Sequence, residues 1–360
     1  MKSKNYVLIL AGGIGSRFWP ISKSKKPKQF LDILHTGKTL LQQTYDRFAN
    51  ICDKENIYVI TGDQYKHFVR EQLPDLKEEQ LLPEPARKNT APCVAYFAHK
   101  LAALNPKANM IVAPSDHVIT NNAAFAQVVS QGLSYSAEKE MLITLGITPT
   151  RPDTGYGYIQ FDEDDREDSL YKVKTFSEKP TKEIAETFIQ SGDFLWNAGI
   201  FIMNVKTIVN ALHKFLPEID DVFREGDGLY NTDKEHAFIN TAYMQCSNIS
   251  LDYGVMEKAK NVGVIPSNIG WTDLGTWASL YDLYKKDYLG NAVAGTNVMV
   301  MDASNCMVMV PDNKLVVLHG LSNYIVIDSE DVLLICEKEK EQEIKQIVSD
   351  IKRIKGDKYL

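Results

Sequence analysis

Nothing in this 360-residue chain approaches the ~20 consecutive apolar residues that a membrane span requires. The apolar run after Lys4 is also shorter than the ~7–15 residues of a secretory signal and ends in glycines. The expectation is therefore a protein that stays in the cytoplasm, with no membrane partner. The five cysteines (Cys52, Cys93, Cys246, Cys306, Cys336) include no CxxC pair, which fits reduced thiols rather than zinc ligands or disulfides. None of the seven histidines stands in an HExxH arrangement, so they add nothing toward a metal site. A formal net charge of -7 argues against nucleic acid or an anionic membrane as a partner. The early glycines lack GxGxxG spacing, which sets aside a dinucleotide-dependent oxidoreductase.

What is present is ample core material, with 44% hydrophobic and 24% charged residues on a chain longer than one core usually supports. Short apolar runs at 6–10, 57–61 and 110–113 read as buried strands, and 39–48, 65–73 and 93–104 have helical spacing. Strand, helix, strand, helix, strand is a parallel open-sheet pattern, in which ligands sit beyond the carboxyl ends of the strands. The fold class is α/β, with a Rossmann-like mixed, mostly parallel sheet. Further on, 123–136 reads as helix and 141–145 as strand. Residues 162–168 read as a solvated acidic hairpin tip, 171–176 as strand, 181–190 as amphipathic helix and 262–265 as strand.

From about residue 289 the texture changes. Segments 297–301, 306–310, 314–318, 324–328 and 332–336 are short, β-rich and evenly spaced, which predicts a small C-terminal β domain or a few coils of β-solenoid. A closing amphipathic helix presents Ile344, Ile347, Val348, Ile351 and Ile354 on one face, to pack on that domain or on a partner subunit. The expected division is 1–288 and 289–360.

After the first strand, Ala11-Gly12-Gly13-Ile14-Gly15 is nearly bare backbone. Consecutive N–H groups can converge on an anion only where side chains do not block the approach, and Arg17 and Lys28, the latter closing the basic run 23–28, bring charge. A glycine-rich turn with two solvated cations accounts for the same residues, and the loop alone leaves both readings open. Ser115-Asp116 follows the third strand as the glycines follow the first, so both can face one crevice. The run 148–159, rich in Gly, Pro and Tyr, is either a polyol-binding loop or a surface turn. Trp196-Asn197-Ala198-Gly199 suits either a sugar ring or a packed corner of the core. Asp273 is a loop residue unless it works with Asp116.

The order of motifs is more specific than any one of them. Leu10-Ala11-Gly12-Gly13-Ile14-Gly15-Ser16-Arg17-Phe18-Trp19-Pro20 with Pro27-Lys28-Gln29-Phe30-Leu31, then Glu84-Pro85 with Lys88-Asn89-Thr90, then Pro114-Ser115-Asp116-His117, open the series. Thr154-Gly155-Tyr156-Gly157-Tyr158-Ile159, Phe176 with Glu178-Lys179-Pro180, Trp196-Asn197-Ala198-Gly199 and Trp271-Thr272-Asp273-Leu274-Gly275 complete it. This series, from Leu8 to Trp277, resembles that of the sugar-1-phosphate nucleotidyltransferases, specifically the mannose-1-phosphate guanylyltransferases, in their short form without an isomerase part.

The resemblance implies the nucleotide-diphospho-sugar transferase fold and a reaction of GTP with mannose 1-phosphate that forms GDP-mannose and pyrophosphate. It also implies Mg²⁺ as cofactor, with no protein nucleophile or general base. By the same resemblance, Leu10, Ala11, Gly12, Gly13, Gly15, Lys88, Asn89, Thr90 and Ser115 belong to the nucleotide site. Arg17 and Lys28 meet the phosphates, and Asp116 and Asp273 hold the metal, which makes these four the catalytic set. Glu84 would accept from the guanine N1–H and exocyclic amine. On the sugar side, Gly155, Tyr156 and Gly199 lie near the hexose, Glu178 accepts from its hydroxyls, Asn197 donates or accepts beside the ring, and Lys179 is close to the sugar phosphate. The β-rich tail implies a homodimer. Arg87 departs from the pattern, since a small residue is common there. Two alternatives stay within the fold: another nucleotide and hexose phosphate, or an inactive regulatory subunit, which should have lost the phosphate and metal residues.

Overall fold

The computed structural model describes residues 4–329 and 331–360, and the chain divides into two compact units. One takes the chain up to Gly12, then Leu41–Ser115 and Ile119–Trp271; the other takes Gly13–Leu40, Asp116–Val118 and Thr272–Leu360. In chain order the strands are β1 Asn5–Leu10, β2 Ile57–Gly62, β3 Leu81–Glu84, β4 Asn109–Pro114, β5 Val118–Ile119, β6 Leu142–Ile147, β7 Gly157–Glu167, β8 Leu170–Glu178, β9 Phe194–Asn204, β10 Val262–Pro266 and β11 Trp271–Thr272. The two-residue strands β5 and β11 lie where the chain passes between units.

The first unit holds a nine-stranded sheet in the order β3-β2-β1-β4-β9-β6-β10-β8-β7, with β7 also pairing β9. Strands β8 and β9 run against the others. The central strands are apolar without alternation because both faces are covered: Val7, Leu8, Ile9, Ile111, Val112 and Ile143 are fully buried. The covering helices are α1 Leu40–Ala49, α2 Lys66–Gln72, α3 Thr90–Leu104, α4 Asn122–Glu138, α5 Lys182–Ser191, α6 Val205–Phe215, α7 Pro217–Arg224 and α8 Glu235–Gln245. β1 and β4 are parallel neighbours whose ends pair Leu10 with Pro114, and Ser115 N donates to Leu10 O at 3.0 Å.

Two features differ from the sequence reading. The acidic run is an arm of β7 rather than a hairpin tip, because Lys174 and Lys172 of β8 pair with Asp162 and Asp165 at 3.2 and 3.1 Å, and the turn falls at Asp168, with φ 51°. The Trp196-to-Gly199 patch lies inside β9, beside a register shift between Thr144 and Gly146.

In the second unit, β12 Ala292–Ala294, β14 Met307–Met309 and β16 Tyr324–Ser329 stack in parallel, and β13 Val298–Met301 pairs β15 Val316–His319 likewise. Parallel stacking of successive short strands is the wall of a solenoid, closed by β17 Val332–Glu337 running antiparallel to β16. Phe18, Trp19, Ile33, Trp277, Ile325 and Ile344 share one core, with Phe18 and Trp277 rings 4.9 Å apart. Helices α9 Trp277–Leu283 and α10 Ile344–Lys355 complete the unit. Ile344, Ile347, Val348 and Ile351 pack on that core, whereas Ile354 is exposed because the apolar stripe runs past it in the last turn. No helix among the described residues is long and apolar enough to cross a membrane.

Candidate functional site

The glycine loop is shaped by close approach. Gly15 has φ 60°, and a Cβ there would stand 2.6 Å from Lys28 Cβ. Any other residue would displace the lysine. Ser22 Oγ and Gln29 Nε2 donate to the carbonyls of Ile14 and Gly13 at 2.7 and 2.9 Å. These two loop carbonyls are thus taken, and N–H groups are what the loop offers to an anion.

Lys28 is 3% exposed. Its three donors go to Asp116 Oδ2 at 2.8 Å and to the carbonyls of Asp273 and Leu274, both at 3.0 Å. The ammonium thus fastens the Asp116 carboxylate and the backbone of Asp273 to one point. Leu274 adopts φ 49°, costly for a bulky side chain, and is held there by its fully buried position and by Lys28 on its carbonyl. Asp273 Oδ1 accepts from Gly275 N at 2.9 Å, and a Cβ at Gly275 would stand 2.4 Å from Asp273 Oδ2. Desolvation would raise the Asp116 carboxyl, but the charges of Lys28 and His117 outweigh it and hold the group below the ordinary carboxylate range. A cavity of about 360 Å³ is lined by Gly15, Arg17, Lys28, Asp116, Asp273 and Lys345. All four predicted catalytic residues therefore meet in the second unit.

The donor set fits a hard divalent cation. Two carboxylates border one cavity with cationic walls, and Mg²⁺ commonly takes one or two carboxylates plus substrate phosphates and waters.

Glu84 ends β3 and is 7% exposed; its Oε1 accepts from Cys93 Sγ at 2.9 Å. Burial pushes its carboxyl up to about 7, against the pull of the Cys93 thiol and Arg87. A Cβ at Gly12 would meet Glu84 Oε2 at 3.1 Å, so Gly12 leaves that oxygen accessible. The neighbouring residues are committed internally. Asn89 caps α3, Thr90 Oγ1 accepts from Leu251 N at 2.8 Å, Lys88 O accepts from Ile249 N, and Arg87 donates to Tyr65 OH at 2.7 Å. Ala11 is tied to Ile60 and Thr61, and the buried Ser115 carbonyl accepts from Thr44.

On the sugar side, Glu178 ends β8 with Oε1 against Lys179 and Oε2 buried without a partner, facing Gly157. A Cβ at Gly157 would stand 2.3 Å from that oxygen. Asn197 Oδ1 accepts from Thr144 Oγ1 at 2.9 Å and Gly199 N at 3.1 Å, while Nδ2 donates to Asp252 Oδ1 at 2.9 Å. Gly199 N–H can only donate and a carboxylate can only accept, so the amide orientation is fixed. Asn197 therefore has one N–H left to offer and no free carbonyl, which narrows the sequence reading to a donor. Burial and then the charge of Glu178 push the Asp252 carboxyl up. Tyr156 is largely buried between Trp196 and Trp271, with centroids 4.9 and 5.3 Å away, and accepts from Arg151. Gly155 N closes a turn on Asp153. Sequence reasoning did not assign Asp252, Cys93 or Lys345. Asp252 was within reach of it, being an acid in a motif-like Leu251-Asp252-Tyr253-Gly254 stretch.

A family model described as nucleotidyl transferase matches residues 6–288, and one described as a MannoseP isomerase/GMP-like beta-helix domain matches 296–351. The mannose-1-phosphate guanylyltransferase RfbM of Salmonella typhimurium is 35% identical over 98% of this chain and 73% of its own length. The alginate biosynthesis protein AlgA of Pseudomonas aeruginosa is 36% identical over 96% of this chain and 71% of its own. The crystal structure of a mannose-1-phosphate geranyltransferase from Thermus thermophilus superposes with a TM-score of 0.86 at 31% identity, covering 97% of this chain and 99% of that one. With the nucleotidyl transferase model spanning the sheet and every motif, and relatives covering nearly the whole chain, the chain belongs to the nucleotidyl transferase family, among the mannose-1-phosphate guanylyltransferases.

Proposed function

We propose that this sugar-1-phosphate nucleotidyltransferase takes GTP and mannose 1-phosphate and releases pyrophosphate and GDP-mannose. A phosphate oxygen of the sugar phosphate attacks the α-phosphorus of GTP in line. The new P–O bond forms as the bond to the bridging β-phosphate oxygen breaks, and the electron pair leaves with pyrophosphate. The attacking oxygen is already ionised, so no base is required. The work left to the protein is to hold anions together and to stabilise charge on the leaving group.

The observation that carries this reading is the convergence of Lys28, Asp116, Asp273 and Arg17 on one cavity bordered by bare glycine-loop backbone. The phosphates are assigned to Arg17, Lys28 and the N–H groups after Gly12, and guanine to Glu84. The hexose is assigned to Glu178 as acceptor and Asn197 as donor, with Lys179 on the sugar phosphate. Nucleotidyltransferases generally use a divalent metal, here taken as Mg²⁺ on Asp116 and Asp273. When bound, it supplies positive charge opposite the phosphoryl oxygens. We take 1–288 as the catalytic domain and 289–360 as the β-rich one. Met299 and Val317, neighbours across the β13–β15 pair and both about half exposed, give a second copy of the chain an apolar surface. All five cysteines are free thiols, which fits cytoplasmic action.

The test is pyrophosphate release across a matrix of nucleoside triphosphates and sugar phosphates, with and without Mg²⁺. Release is expected with GTP and mannose 1-phosphate and should require the metal. Release only with UTP and glucose 1-phosphate overturns the substrate reading, and none with any pair favours a regulatory protein. Light scattering should return a dimer; a monomer at all concentrations removes the second copy.

A further inference from the structure

Lys345 stands in the first turn of α10, in a helix whose only evident role from sequence is to pack its isoleucines. In the structure it lines the same cavity as Arg17, Lys28, Asp116 and Asp273. The neighbouring Ile344 is fully buried in the core shared with Phe18 and Trp277, and Trp19 Nε1 donates to Tyr359 O at 2.8 Å. These contacts hold the start of α10 and the chain segment that follows it against Phe18 and Trp19. The position of Lys345 is therefore set by the fold.

Its surroundings are electrostatically unfavourable as they stand. Partial burial first, then the charge of Arg17, push its ammonium below the ordinary lysine value, and among the described residues it has no carboxylate partner. Arg17 carries a buried Nε without a hydrogen-bond partner in the same cavity. Asp116 is paired with Lys28 through Oδ2, and among the described residues no ion pair joins it to Lys345 or Arg17. Two cations turned toward one cavity, neither neutralised, are what a polyanion offsets.

We propose that Lys345 is a third cation for the leaving pyrophosphate, so that the C-terminal helix completes the phosphate pocket. This rests on the reading of the cavity as the triphosphate site. The chemistry recognised is a chain of phosphates and not the base or the sugar. Lys345 binds alongside Arg17, while the buried Lys28 holds the Asp116 carboxylate and the Asp273 backbone in place.

Lys345 is exposed enough for substitution to leave the core intact, and calorimetry with inorganic pyrophosphate and Mg²⁺ reads its role without any sugar or base. K345M should bind pyrophosphate about tenfold more weakly. Its KM for GTP should rise by a similar factor with the KM for the sugar phosphate unchanged. K345R should recover most of the loss, and K355M, on the same helix but outside the cavity, should behave as the parent protein. Pyrophosphate binding by K345M within about twofold of the parent overturns the assignment even if turnover is normal. A parent protein that binds pyrophosphate in a Lys345-dependent way yet turns over no sugar phosphate keeps the assignment and overturns the proposed reaction instead.

Discussion

Asp116 in the second unit and Glu84 and Asp252 in the first are driven in opposite directions. In the second unit Lys28 and His117 overcome desolvation and keep Asp116 ionised. In the first unit burial dominates, and Glu84 and Asp252 are pushed up, with no lysine among the described residues donating to either. On the proposed assignment, the difference matches what each set would hold. Phosphates and a metal need fixed charge, and charge is cheapest to keep where an opposite charge is built in. A base and a hexose offer hydrogen-bond donors and acceptors, which are read by geometry and by the cost of leaving a buried group unpaired. Substitutions of the second unit's Asp116 and Asp273 should then depress turnover, whereas those of Glu84, Glu178 and Asp252 in the first should change affinity and selectivity.

The largest effects are expected where fixed charge is removed. D116N and D273N keep the side-chain shape and should lower kcat about 100- to 1,000-fold, with circular dichroism unchanged. Near-normal, Mg²⁺-dependent turnover in either variant would remove the metal assignment. Next in size is Glu178→Gln, which removes the charge from the acceptor at Gly157. The KM for mannose 1-phosphate should rise about ten- to a hundredfold, with the KM for GTP unchanged. If GTP binding falls in parallel, the division of labour between the units is wrong.

The convergence was legible in the sequence because the residues proposed for phosphates and metal follow strand ends and loop glycines, where residue type is dictated by backbone approach. Gly15, Lys28, Asp116 and Asp273 converge as the motif order implied. The β-rich tail was readable from its even spacing, and its strands stack as a short solenoid. What escaped depends on tertiary placement. Lys345 looks like any lysine on an amphipathic helix, and only the packing of Ile344 beside the phosphate loop turns it to the cavity. The donor-only state of Asn197 comes from Thr144, Gly199 and Asp252, at three separate places in the chain. The acidic run in β7 read as a solvated tip because its lysine partners lie on the next strand.

Glu84 offers a pH test. Its folded-state value of about 7 lies above the ordinary 4.5, so the folded protein binds the extra proton between those values and stability falls as pH rises through that window. E84Q should flatten this slope in thermal melts at pH 5 and pH 8. Binding should run the other way. Only the ionised carboxylate accepts from both guanine donors, so the KM for GTP should fall about tenfold from pH 6 to pH 8. E84Q should lose that dependence together with selectivity for GTP. A pH profile that E84Q leaves intact would place guanine recognition elsewhere.

The smallest effect, and the finest test of geometric reading, concerns Asp252. It touches Asn197 Nδ2 and not, on this reading, the sugar, so its contribution is the orientation of one amide. D252A removes the acceptor and lets the Asn197 N–H groups turn, which should raise the KM for mannose 1-phosphate about fivefold. D252N keeps a carbonyl oxygen for the same bond and relieves the repulsion from Glu178, so it should stay within about twofold of the parent. In both, kcat and the KM for GTP should be unchanged, because the fixed charges lie on other residues. Should D252N be as damaging as D252A, the carboxylate charge itself would be in use on the sugar side, and the contrast between the two units would narrow to the phosphate cavity alone.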